Sequence, residues 1–394
     1  MDNRITQDEI RRSNRQQIYH YIYNNPKSSS PGICSALGLS RPTVASNLSS
    51  LENEGLIRRV GLQESVQIGR RPVLYAVDSR YRIAVGLEIL RTKVNIIAVD
   101  LYGQQVAVVS PRIPYHNDNS YYREICSHVI SFIDSLNLPP KRVLGICITL
   151  QGLVSPDGRT LVYGGIFGNT GTSIEVFENH LPYPCSFIHD PAAAAMSELQ
   201  ASPDLTSAIY LALSSHLGGS LIVDRHIKSG RHGHHATLEH IRAFTDGKLC
   251  YCGQRGCWDT VCSMTALLGD EMPEAFFEKL REGDPERTES WTAFLTHLAR
   301  LIKDLHLVND VDIILGGRLA PFFREEDVAF LYREIRRMCP FEEETDFILL
   351  SRLPAYHIAI GAALKYIHAF LENIEDEPET DEENGSDLFR EREV

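Results

Sequence analysis

From about residue 10 the apolar positions recur at helical spacing. Ile18, Tyr19, Ile22 and Tyr23 form one stripe, and Pro26, following Asn24-Asn25, ends the helix that carries it. Ser30-Pro31 reads as an N-cap followed by proline at the first helical position, opening a short helix to about Leu37. Gly38 then makes the turn, Leu39 inserts into the core, and Ser40 caps a third helix that buries Val44, Leu48 and Leu51. Helix, tight turn and capped helix in this order predict a helix-turn-helix. Leu56 to Val60 and Pro72 to Val77 follow as two strands of a wing, with Gly69-Arg70-Arg71-Pro72 in the loop between them.

After Asp78 the pattern changes to alternating strands and helices. Ile83 to Ile89, Val94 to Asp100 and Gln104 to Val109 read as consecutive strands, a helix spans about Tyr122 to Leu136, and Val143 to Ile148 is a further strand. Ala208 to Leu213 and Gly218 to Val223 repeat the opening pair. Two βββαβα-like halves predict a duplicated α/β fold with a cleft between its lobes. The expected domains are 1–78, a winged helix-turn-helix, and 79–370, the two-lobed body. Residues 371–394 form an acidic tail, too charged to pack.

Charge sharpens this division. The chain of 394 residues has a net charge of -13, yet residues 1–82 hold 12 Arg or Lys against 7 Asp or Glu, while residues 371–394 hold 11 acids against 2 arginines. Screening confines charge interactions to ~8 Å at physiological salt, so a basic head can meet phosphate although the whole molecule is acidic. The start of the third helix presents Ser40, Arg41, Pro42, Thr43, Ser46 and Asn47, small polar groups and one cation able to reach phosphates and base edges in a major groove. Arg70 and Arg71 suit a narrow minor groove. The same helix face could instead be a solvated surface or a protein contact, and the arginine pair a plain linker. The apolar runs are too short for a membrane span, and the polar N-terminus lacks a secretory core. Nine cysteines fit a reducing compartment, so the cytoplasm is the expected location.

Three of those cysteines, Cys250, Cys252 and Cys257, lie within eight residues, with His240 ten residues upstream of the first. Thiols so close converge on one tetrahedral ion only if the backbone doubles back, and Gly253 and Gly256 permit that. The set reads as a closed zinc site over 240–257, structural because protein fills all four positions. His232, His234, His235 and Cys262 lie near enough to leave the fourth ligand open.

The helix-turn-helix head, the Gly-Arg-Arg-Pro loop and the His-x9-Cys-x-Cys-Gly-x2-Gly-Cys knuckle together resemble the ROK family of repressors and sugar kinases. The likeness covers nearly the whole chain outside the acidic tail and implies an actin-like, ribonuclease-H-like sugar-kinase body. It also implies that the zinc knuckle shapes a sugar cleft and, in the repressors, is required for DNA binding. Against the family's first phosphate loop, Asp-x-Gly-Gly-Thr-Lys, this chain has Glu88-Ile89-Leu90-Arg91-Thr92-Lys93. Against the second, Gly-Thr-Gly-x-Gly-Gly, it has Ser214-Ser215-His216-Leu217-Gly218-Gly219. Bulky side chains there are expected to block ATP. The family's Asn-Asp pair is His189-Asp190, which leaves Asp190 as a vestigial general base or else a helix N-cap. The sugar-binding Glu three residues before the zinc histidine is Thr237, the Glu after the last cysteine is Asp259, and Glu239 precedes His240 where the family has glycine. Val311 to Arg318 and Ile358 to Leu364 match the family's late glycine turn and closing helix. The resemblance implies a non-enzymatic repressor of carbohydrate genes. It would bind an operator as a homodimer, or a tetramer of two such dimers, and answer to a sugar or sugar phosphate at His189, Asp190, Thr237, His240 and Asp259. A sugar kinase, and a regulator with a decayed pocket governed by a protein partner, are the alternatives.

Overall fold

A computed structural model describes residues 6–63, 71–339, 341 and 346–374. The chain divides into two compact units, Met1–Arg82 with Ile367–Val394, and Ile83–Tyr366.

The first unit begins with α1 (Gln7–Asn24), opened by a capping box in which Thr6 and Glu9 satisfy each other's backbone amides. Then come β1 (Ser28–Ser29), α2 (Ser30–Leu37), α3 (Arg41–Asn53), β2 (Ile57–Leu62) and β3 (Val73–Val77). The strands pair in the order β1-β3-β2, a winged helix-turn-helix in which the two-residue β1 went unforeseen. Its pairing on β3 holds Ser29 extended, which is the conformation a cap requires, so Ser29 rather than Ser30 caps α2. Gly38 takes the left-handed turn at φ 66°, as expected. Ile18, Ile22, Ile33, Val44, Leu48 and Leu51 close the core. Beside them the buried Arg15 guanidinium is held by the Glu54 carboxylate and Ser50. The unit ends at Arg82 rather than 78 because Tyr81 is buried against Gly55, whose added Cβ would lie 2.8 Å from that ring. Leu371 and Ile374 are buried as well, so packed chain continues past 370, and the rest of the acidic segment lies outside the described residues.

The second unit holds two five-stranded sheets. The first is built from β4 (Ile83–Ile89), β5 (Val94–Asp100), β6 (Gln105–Val109), α4 (Asn119–Ser135) and β7 (Val143–Leu150). A small hairpin of β8 (Leu153–Val154) and β9 (Leu161–Tyr163) and the turn α5 (Glu175–Glu178) lead to β10 (Cys185–His189) and α6 (Asp190–Ala201). The second sheet uses β11 (Ala208–Leu213), β12 (Leu217–Val223) and β13 (His226–Lys228). The helices α7 (Asp259–Cys262), α8 (Met264–Leu268), α9 (Pro273–Arg281) and α10 (Pro285–Val308) follow, then β14 (Asp312–Gly316), α11 (Glu325–Met338), β15 (Ile348–Leu350) and α12 (His357–Glu372). The orders are β6-β5-β4-β7-β10 and β13-β12-β11-β14-β15. Each reads third, second, first, fourth, fifth, so the two halves are one topology used twice. β4 and β5 are nearly all buried, which explains their continuous apolar runs. The second lobe packs aromatic rings along α10, with Trp291 stacked on Phe294 at 5.2 Å and Phe277 on Phe322 at 4.4 Å. No helix among the described residues is long and apolar enough to cross a membrane.

Candidate functional site

The knuckle is formed by two backbone reversals. Cys250 N–H donates to Gln254 O at 2.8 Å and Gly253 N–H to Cys250 O at 2.9 Å. Gly253 and Gly256 sit at φ 87° and 77°, and a Cβ on Gly256 would fall 1.9 Å from Phe244 O, so only glycine fits there. The fold brings one donor atom from each of His240, Cys250, Cys252 and Cys257 within 4.8 Å of the others. Cys250 Sγ lies 3.7 Å from His240 Nδ1, and Cys252 Sγ 3.7 Å from Cys257 Sγ. Bond lengths of about 2.3 Å to sulfur and 2.0–2.1 Å to nitrogen give a tetrahedral zinc site edges of ~3.6–3.8 Å, so donor set and spacing both fit that ion. Burial and the neighbouring thiols push the Cys250 thiol up to about 12, a cost that a coordinated cation removes. Cys262 is buried in the hydrophobic core of the second lobe, and neither it nor His232, His234 or His235 belongs to the cluster.

Beside the knuckle lies a cavity of about 50 Å³, room for a few waters where about 10–15 Å³ holds one. The end of β10 and the start of α6 bring His189 and Asp190 to its wall, and the turn before the knuckle brings Glu239 and His240. Asp190 is the first residue of α6, with His189 at the cap position, so the cap reading of Asp190 does not hold. Burial, with the Glu88 carboxylate adding to it, lifts Asp190 to about 7, and burial depresses His189 to about 4. Tyr251 places its ring 5.0 Å from that of His240 and 4.6 Å from that of His216.

Two expected ligand residues are placed elsewhere. The Thr237 hydroxyl is taken up by His234 O at 2.6 Å, and the residue is absent from the cavity wall. Asp259 is buried behind that wall, its oxygens accepting from Leu217 N–H at 2.8 Å and facing His216 Nδ1 at 3.3 Å. The carboxylate that does reach the cavity is Glu239, only 4% exposed, with one oxygen that finds no partner among the described residues. Its side chain was noticed in the sequence only as a departure from glycine.

The inner cavity shares Gln151, Ile166, Asp190, Ser214 and His216 with a wider opening of about 890 Å³. Both altered phosphate loops line this opening, through Leu90, Arg91, Lys93, Ser215 and His216, with Arg318 opposite. The replacing side chains therefore leave space, contrary to expectation. Three amides of these loops are taken up within the protein. Leu90 N–H closes on Lys93 O at 2.9 Å, Ser214 N–H on Ala212 O at 3.0 Å and Leu217 N–H on Asp259. The two retained glycines have packing reasons: a Cβ on Gly218 would lie 2.8 Å from Pro191, and one on Gly219 2.7 Å from Ala236 O and Leu238.

In the first unit, Ser40 accepts the Thr43 amide at 3.3 Å and contacts the Thr43 hydroxyl, while Asn47 donates to Thr43 O. Those three polar groups thus support the helix start, leaving Arg41, Pro42 and Ser46 exposed together with Ala45 and Ser49, which the sequence did not single out. β2 and β3 pair from Ile57 opposite Val77 to Leu62 opposite Val73, and Arg71 is exposed at the hairpin end. Arg70 lies outside the described residues.

A model described as "ROK family" matches residues 84–330, and one described as "Winged helix-turn-helix DNA-binding" matches residues 11–58. The DNA-binding transcriptional dual regulator NagC of Escherichia coli (strain K12) is 26% identical over 263 residues, 66% of this chain and 64% of that protein. The xylose repressor of Bacillus subtilis (strain 168) is 24% identical over 262 residues, covering 66% of this chain and 68% of the repressor. A crystal structure of a ROK family transcriptional regulator, homologous to the E. coli Mlc protein, superposes with a TM-score of 0.73 at 20% identity. It covers 93% of this chain and 98% of its own, a likeness of fold.

Proposed function

The chain belongs to the ROK family, and from that premise we propose that it is a transcriptional repressor of carbohydrate genes whose operator affinity responds to a small hydroxylated ligand. The observation that carries the reading is one chain holding both a winged helix-turn-helix with an exposed recognition-helix start and a kinase-like cleft in which the Leu90, Ser214 and Leu217 amides of the altered phosphate loops are bonded within the protein. The head up to Arg82 acts as the DNA-binding domain, the two-lobed body from Ile83 senses the ligand, and the sequence beyond Ile374 is an acidic tail.

Ser40, Arg41, Pro42, Thr43, Ser46 and Asn47 form or frame the surface offered to the major groove, and Arg70 and Arg71 the wing. His240, Cys250, Cys252 and Cys257 hold zinc, which supplies a rigid cross-link beneath the cavity wall rather than a reacting centre. His189, Asp190 and His240 meet the ligand. A homodimer reading a two-fold operator is the working assembly, in the cytoplasm. Ligand alters repression only through unequal affinity for two arrangements of that dimer.

Arg41→Ala and Arg71→Ala are each expected to weaken operator binding and to lower the salt slope of log K by about one per lost phosphate contact. Fluorescence anisotropy across a salt series, on an operator selected with the purified protein, reads both numbers. Unchanged affinity and slope in both variants would remove this surface from the proposal. A kinase reading rests on Asp190, which sits at the cavity with its proton affinity raised into the range of a general base. ATP-dependent phosphorylation of a hexose in a coupled assay, abolished by Asp190→Asn, is the result that would favour it.

A further inference from the structure

Part of the head's positive charge is left unbalanced by the fold. Arg41 at the start of α3, and Arg58 and Arg71 of the wing, are exposed and have no ion-pair partner among the described residues. Carboxylates of the same unit are engaged elsewhere: Glu54 holds the buried Arg15, Glu52 pairs with Arg59 at 2.7 Å, and Glu9 closes the capping box with Thr6. The chain carries its negative charge further on. Beyond Ile374, residues 375–394 hold ten Asp or Glu against Arg390 and Arg392, and seven of the ten fall within 375–383.

This acidic run leaves from the head rather than from the two-lobed body. The first unit takes in Ile367 onward together with the residues up to Arg82; Leu371 and Ile374 are buried, and Glu372 O accepts from Gln16 Nε2 of α1 at 2.5 Å. From that anchor, residues 375–394 reach up to about 70 Å when extended and roughly 25 Å as a random coil. A compact unit of this size has a radius of gyration of only about 12 Å. All of its surface is therefore within range, and tethering sets a local tail concentration on the order of millimolar, enough for contacts too weak to hold a free peptide.

We propose that residues 375–383 dock on the surface of the recognition helix and wing, pairing with Arg41, Arg58 and Arg71, and so compete with operator phosphate for it. DNA displaces the tail because its charges are denser, one per ~1.7 Å of duplex axis against seven over a stretch of at most about 30 Å. Only the undocked fraction of the protein binds, so apparent operator affinity falls by that fraction. This inference rests on the reading of the head as a DNA-binding domain.

The test compares the full chain with one ending at Ile374, by fluorescence anisotropy on an operator selected with the purified protein. At about 50 mM salt the shortened chain should bind fivefold or more tighter, and the gain should fall below about twofold at about 0.5 M, where the Debye length is only a few ångströms. It should likewise fall to within about twofold when Arg41→Ala, Arg58→Ala and Arg71→Ala are combined, because docking needs those cations. Should the shortened chain fail to fold, a full-length chain with the seven acids of 375–383 changed to Asn or Gln carries the same comparison. A photoreactive phenylalanine analogue in place of Thr380 should crosslink to residues 41–77 at low salt, and excess operator should suppress the crosslink. Equal affinity with and without the tail overturns the inference, as do crosslinks confined to other surfaces. A gain that persists in the triple variant also overturns it, since an undocked tail that merely repels DNA acts without those arginines. Each of these outcomes leaves DNA binding by the head intact. Failure of both chains to select or bind any DNA overturns the inference together with the DNA-binding reading on which it rests.

Discussion

Replacing Cys252 by serine is expected to empty the metal site and to lower the melting temperature by about 8 °C or more. The knuckle has little to hold it without an ion: among the described residues its closure rests on a few backbone hydrogen bonds, including those of Cys250 and Gly253 and the contacts of Ala243 and Phe244 with Gly256 O. With one of four ligands lost, a thousandfold weaker affinity would remove about 4 kcal/mol of linkage stabilisation. Domains of 150–250 residues lose roughly 2–4 °C per kcal/mol, which sets the scale. The effect should also reach the ligand cavity, because His240 is at once a metal-cluster residue and a cavity residue, and Tyr251 lies between two of the cysteines with its ring against His240. Metal analysis and calorimetry of wild type and variant, each before and after chelation, provide the measurement. A wild-type protein purified without zinc and no less stable than its zinc-loaded form would refute the structural role.

What the sequence disclosed and what it withheld follow from the range of the interactions concerned. Strands β4, β5 and β11 and helix α3 were legible nearly to the residue because their signals, unbroken apolar runs, period-3.6 stripes and a capping serine, are local. The knuckle was legible because its three thiols and two glycines fall within eight residues. β1 was not, since two serines carry no strand pattern and are extended only by pairing on Tyr75 and Leu74, more than forty residues away. The cavity wall was read partly wrongly for a related reason. Which of Thr237 and Glu239 turns inward depends on the 3-10 turn between Thr237 and Ile241 and on Thr237's bond to His234, and spacing from the zinc histidine encodes neither. Loss of glycine was read as a steric block, whereas the hydrogen bonds of Leu90, Ser214 and Leu217 give the altered loops their character.

The second large effect is expected at Gly361, where substitution by alanine should destabilise the two-lobed body although alanine is the better helix former. In an exposed helix interior this exchange gains about 1 kcal/mol. Here an added Cβ would lie 1.7 Å from Ala193 O and 2.9 Å from Ser197 Oγ, because α12 crosses α6 at glycine-to-backbone distance. The same crossing is tied by Ser197 Oγ donating to His357 O at 2.6 Å, and the other side of α12 meets β4 at Gly86, where a Cβ would lie 1.8 Å from Ala359 O. The nearest obstacle, Ala193 O, is backbone and cannot rotate away, so the helices must separate. Overpacking of this kind costs about 1–3 kcal/mol and occasionally more, and the backbone collision places Gly361→Ala at the upper end, beyond the gain in propensity. Because α6 begins at Asp190, moving α6 also moves a cavity carboxylate, so ligand affinity should fall in whatever folded protein remains. Thermal melts of the variant beside wild type settle the sign: a melting temperature equal to or above that of wild type would mean that α6 and α12 do not pack through this glycine.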